Sequence, residues 1–545
     1  MLVFNNTTMM MRTLFKRDWV KFILWVIALI AFAASGVGKL EVAITPVNQA
    51  SMYSLFNGPA LVSLFGPTLV TGPKQFTGAA AFGSLMPLIT VMVFAIITIV
   101  YVVNRTRKDE EEGIAELLRS FQIGKLANTT ALVIELFVLQ LFMTFLLAGS
   151  IQVQGAAGMG IFTDNLLFSS TITSQSFMWG MLALLLAQIF PESGSAKGNA
   201  IGLFFVLYIV RMGTDISNES LSWLNPLSWC YLTGVYVEDN WLPIALTLAL
   251  SLFALIISYI LELKRDLAAG YIQETRGKAH AGHLLHNFTG LVFHQQRTSI
   301  FVWILGLFVL GITYGSMTDK IGSLVGGASK NNYVTKILSI TSTTDSALME
   351  QEFLGTVYLV LALISSCFAI ASLFRMISEE RKNRQEQIYS MPISRFKVYL
   401  NYVAIAWGLG ALAQFSGIFG LYLSQQNSSN VISASKIFES GLAWVFGIFF
   451  ILSLLSLLIA FLPRSASLIW VYMAVAFFIG IIGKLLDFPN WVLNINIFNN
   501  LMKLPSSTVM PNTPNWSVVM YILLIALLFT VIGLVGYRRR DLISE

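Results

Sequence analysis

Charge is scarce in this chain. Of 545 residues, 34 are Lys or Arg and 28 are Asp or Glu, together 11%, where a soluble chain carries about a quarter. With 56% apolar residues, that deficit excludes a disordered protein, a nucleic-acid-binding domain and a soluble enzyme, because none of these hides so much apolar surface from water. Cysteine is almost absent as well. Cys230 in a loop and Cys367 inside an apolar run make no disulfide framework. No G-x-x-x-x-G-K-[ST] phosphate loop occurs. Gly124-Lys125 comes nearest, without the earlier glycine or the following hydroxyl, so the chain is not expected to hydrolyse nucleotide by that route. His280, His283, His286 and His294 share one segment without Cys or close carboxylates, and read as an amphipathic connector in preference to a metal site. No catalytic residue, metal or cofactor of its own is expected.

Long apolar runs fill the rest. One membrane helix needs about 20 consecutive apolar residues. Candidate spans lie near 20–38, 82–103, 129–151, 166–190, 199–213, 242–262, 299–317, 355–376, 399–423, 438–461, 465–484 and 516–537. An even number places both termini on one side. Basic residues cluster in Arg12 to Lys21, 104–128, 264–297, 375–398 and Arg538 to Arg540. Lys197 and Arg464 fall on the same side as these clusters, the opposite loops hold only Lys39, Lys74, Lys320, Lys330, Lys336, Lys436, Lys484 and Lys503, and Arg211 lies inside or at the edge of a helix. The positive-inside rule then makes both termini cytoplasmic. A basic start followed by Ala31-Phe32-Ala33 also imitates a cleavable signal peptide, but an internal repeat makes the first helix part of the fold.

That repeat has three anchors. Residues 15–37 line up with 293–315, pairing Phe15 with Phe293, Trp25 with Trp303, Ala33 with Gly311 and Ser35 with Thr313. Residues 105–125 line up with 375–395, pairing Arg105 with Arg375, Asp109 with Glu379, Glu110 with Glu380, Glu116 with Glu386 and Lys125 with Arg395. Arg265-Asp266-Leu267 matches Arg540-Asp541-Leu542. Three nearly equal shifts describe a duplication of a six-helix unit, with halves at 1–270 and 271–545. Small residues on one face of each first helix predict a close helix crossing. Each half opens with an amphipathic stretch, about 9–18 and about 284–296, expected to lie in the inner interface.

Two cytoplasmic segments differ in kind from ordinary loops. In 109–125, Ile114, Leu117, Leu118 and Phe121 form one apolar helical stripe behind the acidic start Asp109, Glu110 and Glu112. So short a helix needs a surface to pack on. Its counterpart, 379–395, starts with Glu379 and Glu380, carries Glu386, Ile388 and Met391, and ends at Arg395 after Pro392. Two such segments suggest two docking sites.

The run Glu112-Gly113-Ile114-Ala115-Glu116-Leu117-Leu118, ending in Gln122-Ile123-Gly124-Lys125, resembles the coupling helix of ABC-2 type permeases. The doubled chain, with Arg-Asp-Leu closing each half, resembles the permeases known as exporters of polyketide antibiotics. The resemblance implies an all-α polytopic membrane protein with twelve transmembrane helices, arranged as two tandem six-helix, type V exporter-like repeats. It also implies two copies of a separate ABC ATPase subunit as partners, with ATP and Mg held on that ATPase, and lipid but no nucleic acid around the chain. On that pattern Trp223, Asn225, Pro226 and Trp229 form an external re-entrant gate within 214–241. The second half, 485–515, lacks the proline, and Asn383 stands where the first half has Gly113.

By the same analogy, cavity candidates on the second and fifth spans of each half are Ser84, Asn199, Tyr208, Tyr358, Ser365, Ser366, Trp470 and Tyr472. The expected function is ATP-driven export of a hydrophobic or amphipathic compound across the plasma membrane. An ion-coupled carrier competes with this reading, yet positions near the midplane are almost empty of charge; a non-transporting sensor or scaffold is the third reading. Glu135 is expected near the inner interface, where snorkelling relieves its cost, and Gln140 lies deeper.

Overall fold

The computed structural model of the chain describes residues 2–44, 49–57, 62, 65–121, 123–217, 219–266, 269–272, 280, 282, 285, 287–316, 346–381, 384–426, 433–482, 489–502 and 512–540. Among the described residues every regular element is helical, apart from one isolated bridge between Met502 and Pro514. Among the described residues ten helices are long and apolar enough to cross a membrane. The chain separates into two units, Met1–Gly277 and Lys278–Glu545.

In the first unit, α1 (Thr7–Ala43) runs straight through the stretch expected to lie in the interface and on into the first expected span. The amphipathic residues are therefore the N-terminal turns of one 37-residue helix, not a separate element. Helix α2 (Gly78–Val103) starts on the Thr77 hydroxyl, which accepts from the Ala80 amide at 3.2 Å. It passes through a wide turn at Asn104–Lys108 into Asp109–Glu111, giving a continuous rod of 34 residues, Gly78–Glu111. Such a rod is about 50 Å long, so its last turns stand clear of a hydrocarbon core of about 30 Å. Gly113, at φ +74°, breaks it and α3 (Ile114–Arg119) follows in a new direction. Before α4, the Gly124 amide donates to the Asn5 carbonyl at 3.1 Å and the Leu126 amide to Val3 at 3.0 Å, so the chain's first residues lie against this connector.

The remaining helices of the unit are α4 (Ala127–Gln154), α5 (Phe162–Ile189), α6 (Ser193–Ser217) and α7 (Leu242–Lys264). Helix α5 is rich in hydroxyl side chains and is the most enclosed of the spans, with 78% of its membrane window buried against 28% for α7. The two properties have one cause. As the central helix it packs on α2, α4, α6 and α7, and its hydroxyls turn back to its own carbonyls, as Ser169 does to Asn165 and Thr171 to Leu167. Others cross to neighbours, with Thr173 and Thr144 hydroxyls 2.6 Å apart and the Gln140 amide donating to Ser176 at 3.0 Å. Polar groups satisfied inside a bundle hold membrane helices together.

The second unit contains α8 (Phe288–Gly315), α9 (Ser346–Arg381), α10 (Arg384–Tyr389), α11 (Arg395–Gln425), α12 (Ala434–Ala443), α13 (Val445–Phe461), α14 (Leu468–Ile482) and α15 (Trp516–Arg539). Helices α12 and α13 together make one candidate span. Helix α14 covers the eleventh expected span with 15 residues and stands outside the ten, as does α1; residues 483–488 after it lie outside the described set. The expected close crossing is present at α8 and α11. A Cβ on Gly311 would collide with the Gly417 carbonyl, and one on Gly420 with the Phe308 carbonyl. Gly306, on the same expected face, meets nothing.

Each unit packs the same helix pairs internally: its first long helix on its third, its second on its fourth, and its fourth on its last. Each also has its own apolar core, around Phe168, Met178 and Trp179 in the first unit and around Tyr399, Ile448 and Leu452 in the second.

Candidate functional site

The acidic start of the first segment is an anchor. Asp109, Glu110 and Glu111 each grip a different element. Asp109 accepts from Arg17 of α1 at 3.3 Å. Glu110 accepts from Arg107 at 2.8 Å and from both terminal nitrogens of Arg265, the residue that follows α7. Glu111 accepts the Ser193 hydroxyl at 2.6 Å and the Ser193 backbone amide, at the N-terminus of α6, where the helix dipole favours an anion. The basic end completes the collar, as Lys125 donates to the Leu263 and Arg265 carbonyls, both at 2.9 Å, at the C-terminus of α7. Arg107, itself buried, also donates to the Pro191 carbonyl at 2.6 Å, and the Arg265 Nε to Gln188 of α5 at 2.6 Å.

Against this fixed base, α3 presents an apolar face. Leu117 and Phe121 are 62% and 64% exposed, whereas Leu118 packs into the unit's core and Ile114 is half-buried. The expected stripe is therefore split, with its inner side seating α3 and its outer side open. Glu112 and Glu116 are exposed, and Glu112 lies 3.3 Å from Lys108.

The second segment repeats the central bonds. Glu380 accepts from Arg540, and Arg395 donates to the Arg540 carbonyl at 2.7 Å, as Lys125 does to Arg265. Around them neutral groups take over. Gln385 donates to the Met376 carbonyl at 2.9 Å and accepts from the Tyr537 hydroxyl at 3.1 Å; the Tyr389 and Tyr537 hydroxyls are 2.9 Å apart. Burial holds the Tyr389 phenol above its ordinary pKa, so it stays a donor. Ile388 packs against the core, Glu379 is buried with Arg384 at 3.6 Å, Glu386 is exposed, and Met391 is 58% exposed. Asn383, Leu267, Asp541 and Leu542 lie outside the described residues.

At the opposite end of the first unit, Asn225 forms the turn of the expected gate. Its Oδ1 accepts from the Leu227 amide at 3.0 Å and its Nδ2 donates to the Leu207 carbonyl of α6 at 2.7 Å. Gln175 of α5 donates to the Pro226 carbonyl at 2.8 Å, and Trp229 donates to the Trp223 carbonyl at 2.8 Å. The absent proline does not change the second unit's turn. Asn496 accepts from the Phe498 amide at 3.2 Å and donates to the Ala476 carbonyl of α14 at 3.1 Å. Beside the first turn, Arg211 and Asp215 form a fully buried ion pair at 2.7 Å, and Ser222 and Tyr231 also donate to Asp215.

The cavity candidates are scattered. Asn199 is exposed and bonds Ser195 of its own helix; Tyr208 lies beneath the Arg211 guanidinium; Ser84 and Ser366 bond carbonyls one turn back. Ser365 donates to Gln414, Tyr358 is buried, Trp470 stacks on Phe374, and the Tyr472 hydroxyl donates to the Ile495 carbonyl at 3.2 Å. None of them lines either of two grooves on the first unit, one of about 540 Å³ at Tyr101 and Arg105 and one of about 420 Å³ along the outer faces of α1 and α4. Glu135 does not snorkel: it is fully buried and bonded by Tyr101. Among the described residues no three His, Cys, Asp or Glu side chains converge as a metal site; His283 and His286 lie outside that set.

Sequence reasoning named Arg265 and Arg540 only as part of a motif, and it missed Arg107, Ser193, Gln385, Tyr537 and Asn496. Only Arg265 and Arg540 carried a signal, through recurrence after the last helix of each half.

Residues 285–538 match the family model described as "Multidrug efflux system permease Rv1217c, C-terminal domain". Over 99% of this chain and 95% of the relative's length, the chain is 25% identical to the multidrug efflux system permease protein Rv1217c of Mycobacterium tuberculosis (strain ATCC 25618 / H37Rv). With its apolar helices, this likeness describes a multi-pass membrane protein of permease type, similar along its length to a component of an efflux system.

Proposed function

We propose that this chain is the membrane-spanning subunit of an ATP-driven exporter that moves drug-like or lipid-like hydrophobic compounds out of the cell. Two copies of a separate ABC ATPase subunit would supply the energy, holding ATP and Mg on their own surfaces. The observation that carries the reading is the exposed pair of Leu117 on α3 and Phe121 in the turn after it, on a segment whose base is pinned by Asp109, Glu110, Glu111 and Lys125. Burying each such side chain in a partner's groove is worth roughly 1.5 to 3 kcal/mol. The likeness to a multidrug efflux permease supports the cargo class.

In this mechanism the ATPases push on α3 and on its counterpart around α10. Because α3 follows the α2 rod after the single break at Gly113, and Glu110 and Glu111 tie that rod to the ends of α7 and α6, the push is delivered to several membrane helices together. A segment hanging from one flexible strand would absorb it instead. Access then alternates by moving helices between two discrete arrangements. The wider organisation belongs to the same proposal: twelve spans as two tandem six-helix repeats in the plasma membrane, with both termini and both docking segments cytoplasmic. The recurrence of the same packed helix pairs in each unit supports it.

The test is co-expression with the ATPase encoded beside this chain. The pair should co-purify, and L117D combined with F121D should separate them while leaving the permease folded. A complex that survives both aspartates overturns the docking assignment. Sealed vesicles that accumulate drug with a proton gradient and no ATP overturn the energy source.

A further inference from the structure

Glu135 of α4 is fully buried at the junction with α1 and α2. Its Oε2 lies 2.9 Å from the Tyr101 hydroxyl, and that hydroxyl lies 3.2 Å from Asp18 Oδ2. Its other oxygen, Oε1, is buried without any hydrogen-bond partner. Asp18 is treated differently: Arg105 and Lys21 both donate to its Oδ1, Lys21 at 2.8 Å, and the Arg17 Nε lies 3.9 Å from Oδ2.

Counting hydrogens distinguishes the two acids. Tyr101 has one hydroxyl hydrogen and two carboxyl oxygens within reach. Were both acids ionised, one would face the phenol's lone pairs, and Glu135 would also bury a charged oxygen with no donor, which costs far more than a bare carbonyl oxygen. A proton on Glu135 removes both faults. Glu135 then donates to Tyr101, Tyr101 donates to Asp18, and the Asp18 charge is answered by Arg105 and Lys21. The partnerless Oε1 becomes the carbonyl of a neutral acid.

No other neighbour alters this count. The titratable groups facing Glu135 are Arg17, Asp18 and Lys21 from α1, and Tyr101 and Arg105 from α2. Helix α5 carries one charge, Asp164, at its far end. On α7, Glu262 and Tyr259 bond Thr129 and Thr130, more than one turn away along α4. A route from water exists, because the groove of about 540 Å³ lined by Arg17, Lys21, Tyr101 and Arg105 opens beside α3 and reaches the phenol. Among the described residues the second unit has no equivalent. In the register of the internal repeat, Asp18 meets Gln296, Tyr101 meets Ala371 and Glu135 meets Ile405.

We propose that Glu135 is a proton-binding site unique to the first unit, loaded through the groove at Tyr101, whose occupancy sets how α4 is joined to α1 and α2. When the proton leaves to water in the groove, the Tyr101 hydrogen turns to Glu135 and Asp18 gives up that bond. The chain of hydrogen bonds from α4 through α2 to α1 is then broken. Neither cargo nor ATPase takes part in this step.

Infrared spectroscopy of the purified full chain in lipid nanodiscs at neutral pH tests it. The wild-type minus E135Q spectrum should contain a protonated-carboxyl C=O band that shifts in D₂O. Y101F should move that band to higher frequency, and alkaline pH should remove it. A difference spectrum containing only ionised-carboxylate bands overturns the proposal. If E135Q does not fold, the wild-type titration and Y101F carry the test, and a carboxyl band indifferent to Y101F is equally fatal. Because the native state would hold a proton that the unfolded chain has released, wild-type thermal stability should fall relative to E135Q as pH rises; parallel curves also overturn it.

Discussion

The two proposed docking segments are built on one bond pattern and differ in what surrounds it. In both, a glutamate at the end of the second long helix meets an arginine just beyond the last helix, and a cation at the segment's end meets that arginine's carbonyl. In the first segment the surroundings are ionic: Arg107 joins Glu110, Arg17 joins Asp109, and Glu111 caps α6. In the second they are Gln385, Tyr389 and Tyr537. The geometry requires the glutamate–arginine tie and the cation on a helix end; stiffness in the remainder is reached either by charge or by packed hydroxyls. Outward faces differ too, with two large apolar side chains exposed on the first and Met391 on the second.

The largest break in this comparison should come from E110A. It takes the Glu110 carboxylate from two buried guanidinium groups, Arg107 and Arg265, and removing one partner of a buried pair costs about 3 to 5 kcal/mol. E380A strands Arg540 alone and should cost less; thermal unfolding of the two variants in detergent measures the gap. Next, L117D with F121D should weaken ATPase binding by about 10- to 100-fold per residue, and M391D by the smaller, single-residue step. Titrating the ATPase against immobilised permease reads both, and equal losses would mean that the second segment exposes more than the structure displays.

Smaller effects sharpen the parallel at the other end. N225A and N496A each lose two hydrogen bonds in a buried turn, so each should cost about 1 to 2 kcal/mol by melting. A marked inequality would break the equivalence of the turns. Smallest of all, K125A and R395A should each cost about 0.3 to 1 kcal/mol, the worth of a cation at a helix C-terminus, and the loss should shrink in high salt.

The helical, membrane-spanning class was legible because it leaves a linear trace in apolar run length. What stayed hidden depends on three-dimensional neighbours. The amphipathic turns before Trp25 and Trp303 read as interfacial helices, since periodicity records which face is apolar and not whether the helix bends away. The stripe on α3 was visible, but Leu117 and Leu118 are distinguished only by where the core lies. Gly113 was read as part of a motif, and its positive φ is what shortens the segment to Ile114–Arg119. The polar start of α5 has no linear explanation, because a helix at the centre of a bundle needs no lipid-compatible face. Glu135 was placed at the interface on cost alone; its partner Tyr101 lies on another helix and has no sequence signature. Asn496 was passed over because the comparison looked for a proline, while the bonds depend on the asparagine.

The backbone bonds from Val3 and Asn5 to the connector after α3, and the grip of Arg540 on Glu380, have a practical corollary. An affinity handle fused ahead of Leu2 starts beside the first proposed docking segment, the first knob, and one fused at the C-terminus follows Arg540, which grips the second. A failed pull-down with either tag says little about the native interface. Used deliberately, a bulky fluorescent fusion at one end or the other obstructs each knob separately without altering a single residue of the permease.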